Sequence, residues 1–302
     1  MLVFAASDKG GTGRSVTSCN IAYHLAQGED VAYLDFDFGS PTSGAIFEIA
    51  RAERGVERDG LHSYFTDGAT DPRQLDVWHS TSRTDLRGAN VRPGRLSLFA
   101  GEQGGAEFGM SDTVVQRCAE LLTTLDREFA VCIVDLSAGR STALAMALAA
   151  TATSALRSAT TRWLVFHRWT RQHIVAANGL VHGERGILDI GAKLGHHPDA
   201  LRDDIRFVRV AVPNLKENNP GQTPAQAAWL LQCDEELRRL AVAKKLGQSR
   251  VLGSTPVEPV LQYRERLISD ADVSTKIANP ETVRGFHELA VRLTDDDVWE
   301  GM

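Results

Sequence analysis

The sequence predicts an α/β protein: a mostly parallel, doubly wound sheet with helices on both faces. Three observations carry that expectation. Short apolar runs alternate along the chain with stretches whose apolar residues recur at helical spacing, the alternation that builds parallel sheets. The first run, Leu2 to Ala6, passes at once into a glycine-rich turn, as a buried parallel strand does when it opens a βα unit. With 302 residues, 43% of them hydrophobic and 24% charged, the chain can bury a full core, which excludes disordered and collagen-like classes.

Each element follows in order. After the turn, Ile21, Ala22, Leu25 and Ala26 mark a helix, and residues 31–34 a second strand ending at Asp35. Between Arg51 and Arg95 the period is broken by Gly55, Gly60, Gly68, Pro72, Gly88 and Pro93, so 51–95 reads as an irregular insertion or mobile lobe. Leu96, Leu98 and Phe99 restore a strand. Val114, Cys118, Leu121, Leu122 and Leu125 then form a helical stripe, and 131–135 another strand. Further strands are expected at 163–166, 205–212 and 251–253, with helices near 171–181, 224–246, 259–268 and 281–293. His196-His197-Pro198 reads as a loop. Lacking a second boundary, an internal repeat or a low-complexity tract, the sequence is read as one domain over 1–302.

Composition narrows the class further. A net charge of −6 argues against a surface that binds nucleic acid throughout. Four cysteines, Cys19, Cys118, Cys132 and Cys233, stand far apart without a CxxC pair, which speaks against a disulfide framework, a metal knuckle or an iron–sulfur site. No apolar run reaches the roughly 18 residues of a membrane span, and the opening MLVFAASDKGG has no basic leader, so a soluble, cytoplasmic protein is expected.

The chemistry concentrates in Asp8-Lys9-Gly10-Gly11-Thr12-Gly13-Arg14-Ser15, between a strand and a helix. Glycines there let the backbone turn tightly and aim several N–H groups at one spot, where the helix also presents its positive end. This is an anion cradle sized for phosphates. Ser15 stands where a P-loop puts its Mg²⁺ ligand, and Arg14 where the phosphate-bridging lysine is expected. A dinucleotide GxGxxG pattern fails, because Val16 occupies the third glycine position.

The segment KGGTGRS resembles the deviant Walker A motif, KGGxGK[ST], of the MinD/ParA family of P-loop ATPases, in the SIMIBI class of NTPases. Later segments resemble the same family in the right order: Tyr33-Leu34-Asp35-Phe36-Asp37 its DxD strand end, Leu96 to Ala100 the strand that follows, and Cys132-Ile133-Val134-Asp135 with Gly139 its Walker B and switch II. Gly253 to Pro259 resembles its late proline-containing loop. The resemblance spans nearly the whole chain outside 51–95. It implies a P-loop NTPase fold that takes ATP and Mg²⁺ and forms a nucleotide-sandwich homodimer.

What the resemblance assigns is specific to residues. Lys9, Gly10, Gly11, Thr12, Gly13, Arg14, Ser15 and Val16 would bind the phosphates, with Lys9 reaching the nucleotide of the other subunit. Asp37 would orient the attacking water, a positioning task that dominates phosphoryl transfer. Ser15, Asp35 and Asp135 would surround the metal, and Asp135 ends an apolar strand where a carboxylate can hold a water of the Mg²⁺ shell. Asn214 and Pro256 would flank the adenine. Arg14 in place of lysine and Val16 in place of a hydroxyl residue depart from the family pattern, since a planar guanidinium is not equivalent to a compact ammonium.

The function implied is an ATP-binding dimerisation switch that hydrolyses ATP slowly and positions or recruits a cargo or an unidentified protein partner. The alternative is a catalytically impaired nucleotide-binding scaffold; less favoured is an ATP-dependent carboxylate ligase of the same superfamily. DNA is a less favoured partner: Arg238, Arg239, Lys244 and Lys245 end a predicted helix, where they suit the helix dipole, and Arg162, Arg168 and Arg171 interleave with Trp163 and Trp169. The acidic segment 293–300 lacks the basic amphipathic pattern of a membrane-binding tail.

Overall fold

In the computed structural model, which describes residues 1–87, 94–215 and 223–300, eight strands form a single sheet. They are β1 (Leu2–Ala6), β2 (Val31–Phe36), β3 (Gln74–Asp76), β4 (Leu96–Phe99), β5 (Val131–Leu136), β6 (Thr161–Arg168), β7 (Ile205–Val212) and β8 (Val251–Pro256). Across the sheet the order is β3-β4-β2-β5-β1-β6-β7-β8, parallel throughout except for β3 against β4. The chain therefore starts at the centre of its sheet. Successive strands run from β1 to one side and later ones to the other, which opens a crevice at the strands' C-terminal ends.

The helices are α1 (Arg14–Leu25), α2 (Ser43–Ile46), α3 (Leu61–Thr66), α4 (Val77–Ser80), α5 (Asp112–Glu128), α6 (Thr142–Thr151), α7 (Arg171–His182), α8 (Ile187–Leu194), α9 (Pro198–Asp203), α10 (Pro224–Ala243), α11 (Asp270–Ser274) and α12 (Pro280–Thr294). Alternate side chains of the central strands feed two cores. Leu2, Phe4, Leu34, Val134 and Trp163 join the core built with α5, α6 and α7, while Val3, Ala5, Tyr33, Ile133 and Phe166 join the core built with α1 and α12. Phe4 stacks on Trp163 with ring centroids 4.4 Å apart. Each such buried side chain contributes about 1.5–3 kcal/mol, so the central strands are a rigid platform for the loops at their ends.

Several regions differ from the sequence reading for identifiable reasons. The stretch expected to be an irregular insertion or mobile lobe holds α3, β3 and α4, and its Leu61, Phe65, Leu75, Val77 and Trp78 are buried; Gly88 and Pro93 lie outside the described residues. Its short elements carry too few turns to show a period. Helix α6 has no polar face for a pattern to reveal, because almost every residue of TALAMALAAT is buried. The helix expected at 259–268 is only a 3₁₀ turn, Val260–Gln262. Asn20 explains why: its Nδ2 donates to Arg266 O (3.2 Å) and its Oδ1 accepts from Ile268 N (2.8 Å), holding this backbone extended against α1.

The interleaved arginines and tryptophans do not form one surface: Arg171 is exposed and Arg168 half-buried, while the others are engaged in packing. Trp163 is in the core, and Trp169 Nε1 donates to Asp234 Oδ1 at 2.7 Å. Arg162 is buried, bonded to Leu293 O and Asp296, and with Arg206 it sandwiches the Trp299 ring at 4.8 and 4.9 Å. The acidic tail is thus docked on two arginines. On α10, Leu230, Cys233, Leu237 and Leu240 do form the less exposed face, while Arg238 and Arg239 pair with Asp234 and Glu235 one turn earlier. Such pairs describe a solvated face. No helix among the described residues is long and apolar enough to cross a membrane.

Candidate functional site

Buried β1 delivers the chain into the glycine turn at the sheet's C-terminal edge. Gly11 and Gly13 have φ of +70° and +81°, the left-handed region that side chains rarely adopt. A Cβ on Gly13 would also meet Val210 Cγ1 at 2.9 Å, so packing against β7 reinforces the backbone demand. Gly13 is the N-cap of α1 and offers no side chain to it, nor is there an acid in the first turn. The first helical amide bond is that of Thr17 N to Gly13 O, 2.9 Å. The amides before it remain as donors at the positive end of a helix, the arrangement that binds phosphate oxygens.

Two cavities flank this turn. One, about 380 Å³, is lined by Ser7, residues 10–16, Asp37, Ser40, Thr42, Ala138 and Glu265. The other, about 230 Å³, is lined by Gly11, Gly13, Val16, Thr17, Arg168, Val210, Ala211, Thr255, Pro256, Leu261, Gln262 and Phe286. Together they straddle the phosphate turn, with Asp37 on one side and, on the other, a cleft whose apolar Val210, Pro256, Leu261 and Phe286 stand beside Glu258, Glu265 and Thr282. Ala211 takes φ +54° where the β7–β8 register shifts, and its amide donates to Thr255 Oγ1 (3.4 Å), which shapes the cleft wall.

The carboxylate side is crowded by register. Parallel pairing sets Asp35 beside Asp135, and Ala5 beside Asp135 in turn. Both aspartates are completely buried. Burial, and then the neighbouring Asp135 carboxylate, push the Asp35 pKa up to about 7. Asp35 is spent on backbone and hydroxyl donors: Asp37 N bonds its Oδ1 (3.2 Å), while Thr42 N, Ser43 N and Ser43 Oγ bond its Oδ2 (3.0, 3.0 and 2.5 Å). It ties the DxD turn to the start of α2.

Arg14 is the centre of the remaining network. Its side chain turns inward, only 6% exposed, and Nε donates to Asp135 Oδ1 at 2.5 Å. Nη1 donates to Ser7 Oγ (3.2 Å), and Nη2 to both Ser15 Oγ and Asp37 Oδ2 (3.3 Å each). Burial works against its charge, but Asp135 and Asp37 outweigh that and its pKa is raised. The structure thus brings Arg14, Ser15, Asp37 and Asp135 into one cluster, with the guanidinium between Ser15 and Asp135, which the sequence reading set around a metal, and Asp37, to which it gave the attacking water. Breaking such a buried pair by removing one partner costs about 3–5 kcal/mol.

The other expected residues divide. Lys9 is half-buried at the rim, and among the described residues no acid holds its ammonium. Gly139 (φ +78°) donates its N–H to Ser7 O at 2.7 Å, which joins the Asp135 strand end to the phosphate turn. Pro256 lines the smaller cavity, whereas Asn214 is exposed beyond β7 and is not among the residues lining it.

Comparison with known proteins decides the family. Residues 3–249 match the CobQ/CobB/MinD/ParA nucleotide-binding domain. The chain belongs to that MinD/ParA nucleotide-binding family. Among solved structures, the MinC:MinD cell division protein complex of Aquifex aeolicus superposes with a TM-score of 0.60 at 12% identity, over 97% of this chain and 95% of that one. A putative plasmid partition protein of Borrelia burgdorferi bound to AMPPNP gives 0.59 at 13%, over 97% of each. A stretch of 59 residues is 44% identical to an iron–sulfur cluster carrier protein of Pseudomonas fragi; it spans 19% of this chain and 21% of that relative. The cell division ATPase MinD of Pyrococcus furiosus superposes with a TM-score of 0.53 at 13% identity, over 97% of each chain, and this chain shares its fold.

Within the family frame, some residues of the site had no signal in the motif alone. Thr17, one position after Val16, supplies a hydroxyl to the cleft that Val16 lacks. Arg140 bridges switch II to the turn through Asp8 Oδ1 (3.0 Å), anchored by Gly179 O (2.8 Å). Ser7 follows β1 and accepts from Arg14; a hydroxyl just before a phosphate turn was the available clue. Glu265 reaches both cavities from a segment expected to be helical, so no pattern pointed to it.

Proposed function

We propose that the chain binds ATP across the turn at Gly10–Ser15 and uses occupancy as a dimerisation switch that recruits a protein partner, with turnover at most slow. The observation that carries this reading is the uncapped N-terminus of α1, set by left-handed Gly11 and Gly13, lying between two cavities, one holding Asp37 and the other Pro256 and Ala211. The triphosphate takes the amides of the turn. Its base enters the cleft beside Pro256 and Ala211. Lys9, free of acidic partners at the rim, is left to meet the phosphates of a second subunit.

Slow turnover follows from Arg14. Asp37 is the residue suited to orient the attacking water, yet it shares Arg14 with Asp135, so the guanidinium competes with the water for that carboxylate. The same observation favours the second reading, a nucleotide-binding scaffold without turnover. Mg²⁺ enters neither reading, because both oxygens of Asp35 and Oδ1 of Asp135 are already committed to other donors.

Light scattering with ATP, with ADP and without nucleotide tests the switch: a dimer with ATP alone is expected, and a monomer in all three would reject it. Phosphate release separates the two readings. Wild-type release above the blank supports the switch. Release only from Arg14→Lys, expected to rise about tenfold or more once Asp37 and Asp135 are freed, supports the scaffold.

A further inference from the structure

The guanidinium of Arg14 stands where the sequence reading puts a divalent cation. Ser15 Oγ and Asp135 Oδ1, from two of the three residues set around the metal, and Oδ2 of the water-orienting Asp37 each accept a hydrogen bond from this one side chain at 3.3, 2.5 and 3.3 Å. Mg²⁺ requires near-octahedral oxygen ligands at about 2.0–2.1 Å. A planar group that presents only N–H donors supplies none, and its fixed charge repels a second cation. Asp35 cannot substitute, since its oxygens are bonded by Asp37 N, Thr42 N and Ser43. Among these carboxylates, Asp135 Oδ2 is the buried atom without a hydrogen-bond partner. One enclosed oxygen beside a buried guanidinium is not a Mg²⁺ site.

We propose that this chain selects the nucleoside triphosphate in its metal-free form, with Arg14 as the built-in cation of the site. The inference rests on the nucleotide reading above and deepens it by naming the ionic form of the ligand. Free ATP carries more negative charge than its Mg²⁺ complex, and the amides of the turn together with Lys9 supply the compensating positive charge, while Arg14 offsets Asp37 and Asp135 in the place of a metal. A chelated triphosphate brings its cation against the guanidinium and must shed it. Added Mg²⁺ then competes with the protein for ATP and weakens apparent binding by mass action.

Calorimetry of the full chain with ATP, in EDTA and in millimolar MgCl₂, reads this directly. Wild-type affinity is expected to be about fivefold or more weaker in Mg²⁺. Arg14→Lys, which vacates the carboxylates, is expected to reverse the sign and bind more tightly in Mg²⁺. Mn²⁺ electron paramagnetic resonance gives a second readout: nucleotide held by the wild type carries no bound Mn²⁺. Equal or tighter wild-type binding in Mg²⁺, or Mn²⁺ retained on the protein-bound nucleotide, overturns the inference and leaves the nucleotide reading intact. Absence of binding in both buffers overturns both. Should Arg14→Lys not fold, the two wild-type measurements decide alone.

Discussion

The two sides of the phosphate turn are built from different materials. On one side the chain offers backbone: amides of α1 at their positive end and left-handed glycines, none of them committed to another partner by a side-chain cap. On the other it offers side chains, and these are already paired, with Asp135 Oδ2 left over. Arg14 holds Asp135 and Asp37, and α2 holds Asp35. The difference teaches that anion binding and cation binding, coupled in an ordinary P-loop, are separable. A lysine-to-arginine change leaves the amide geometry untouched while redirecting the positive charge toward the protein's own carboxylates.

The sharpest way to break that contrast is to remove the acid beneath Arg14. Asp135→Ala leaves a buried guanidinium without its main partner, and the stability loss is expected to be about 3–5 kcal/mol by urea unfolding. Replacing both partners with apolar residues of similar volume, Arg14→Met with Asp135→Leu, should recover most of it, because the lost pair then leaves no uncompensated charge. A single-mutant loss under about 1 kcal/mol would mean the pair is solvated and the cation side is open after all.

The backbone side has its own test, of somewhat smaller size. Gly13→Ala forces a left-handed residue, about 1–2 kcal/mol, and sets a methyl group against Val210. With overpacking of about 1–2 kcal/mol added, a total near 2–4 kcal/mol is expected, together with loss of nucleotide binding. Adding Val210→Ala should return the packing part only. If the double variant regains full stability, the clash alone was the constraint and the positive φ was not.

How far the sequence revealed this contrast depends on what each side is made of. The amide cradle was legible because glycine spacing encodes backbone conformation directly: Gly11 and Gly13 sit at the positive φ values the motif implies. The sheet was legible for a similar reason, as Leu2–Ala6 and Val131–Leu136 are apolar runs with few alternatives. Side-chain commitments were not. That Arg14 is held at the cavity wall by ion pairs depends on Asp135 and Asp37, which lie far along the chain and meet it only through the register of β1, β5 and β2. Asp35 shows the same limit: its role as anchor for Ser43 depends on the turn after β2, not on its own neighbours.

The smallest expected effect reads how saturated the carboxylate side is. Asp35 has its pKa raised from 3.8 to about 7, first by burial and then by Asp135, so the folded chain holds a proton there more tightly than the unfolded chain does. The stabilisation is complete below the unfolded value and is lost as pH rises through about 7, where a second buried negative charge appears beside Asp135. His24 and His167, pushed down to about 4 by burial, act with the opposite slope at lower pH. A comparison with Asp35→Asn therefore isolates the aspartate, since the amide oxygen can still accept from Ser43 but carries no charge. Between pH 5 and pH 8 the wild type should lose on the order of 2 kcal/mol relative to that variant by urea unfolding. A flat difference across this range would show that Arg14 neutralises Asp35 as well as Asp135, and that the cation side has charge to spare for a metal.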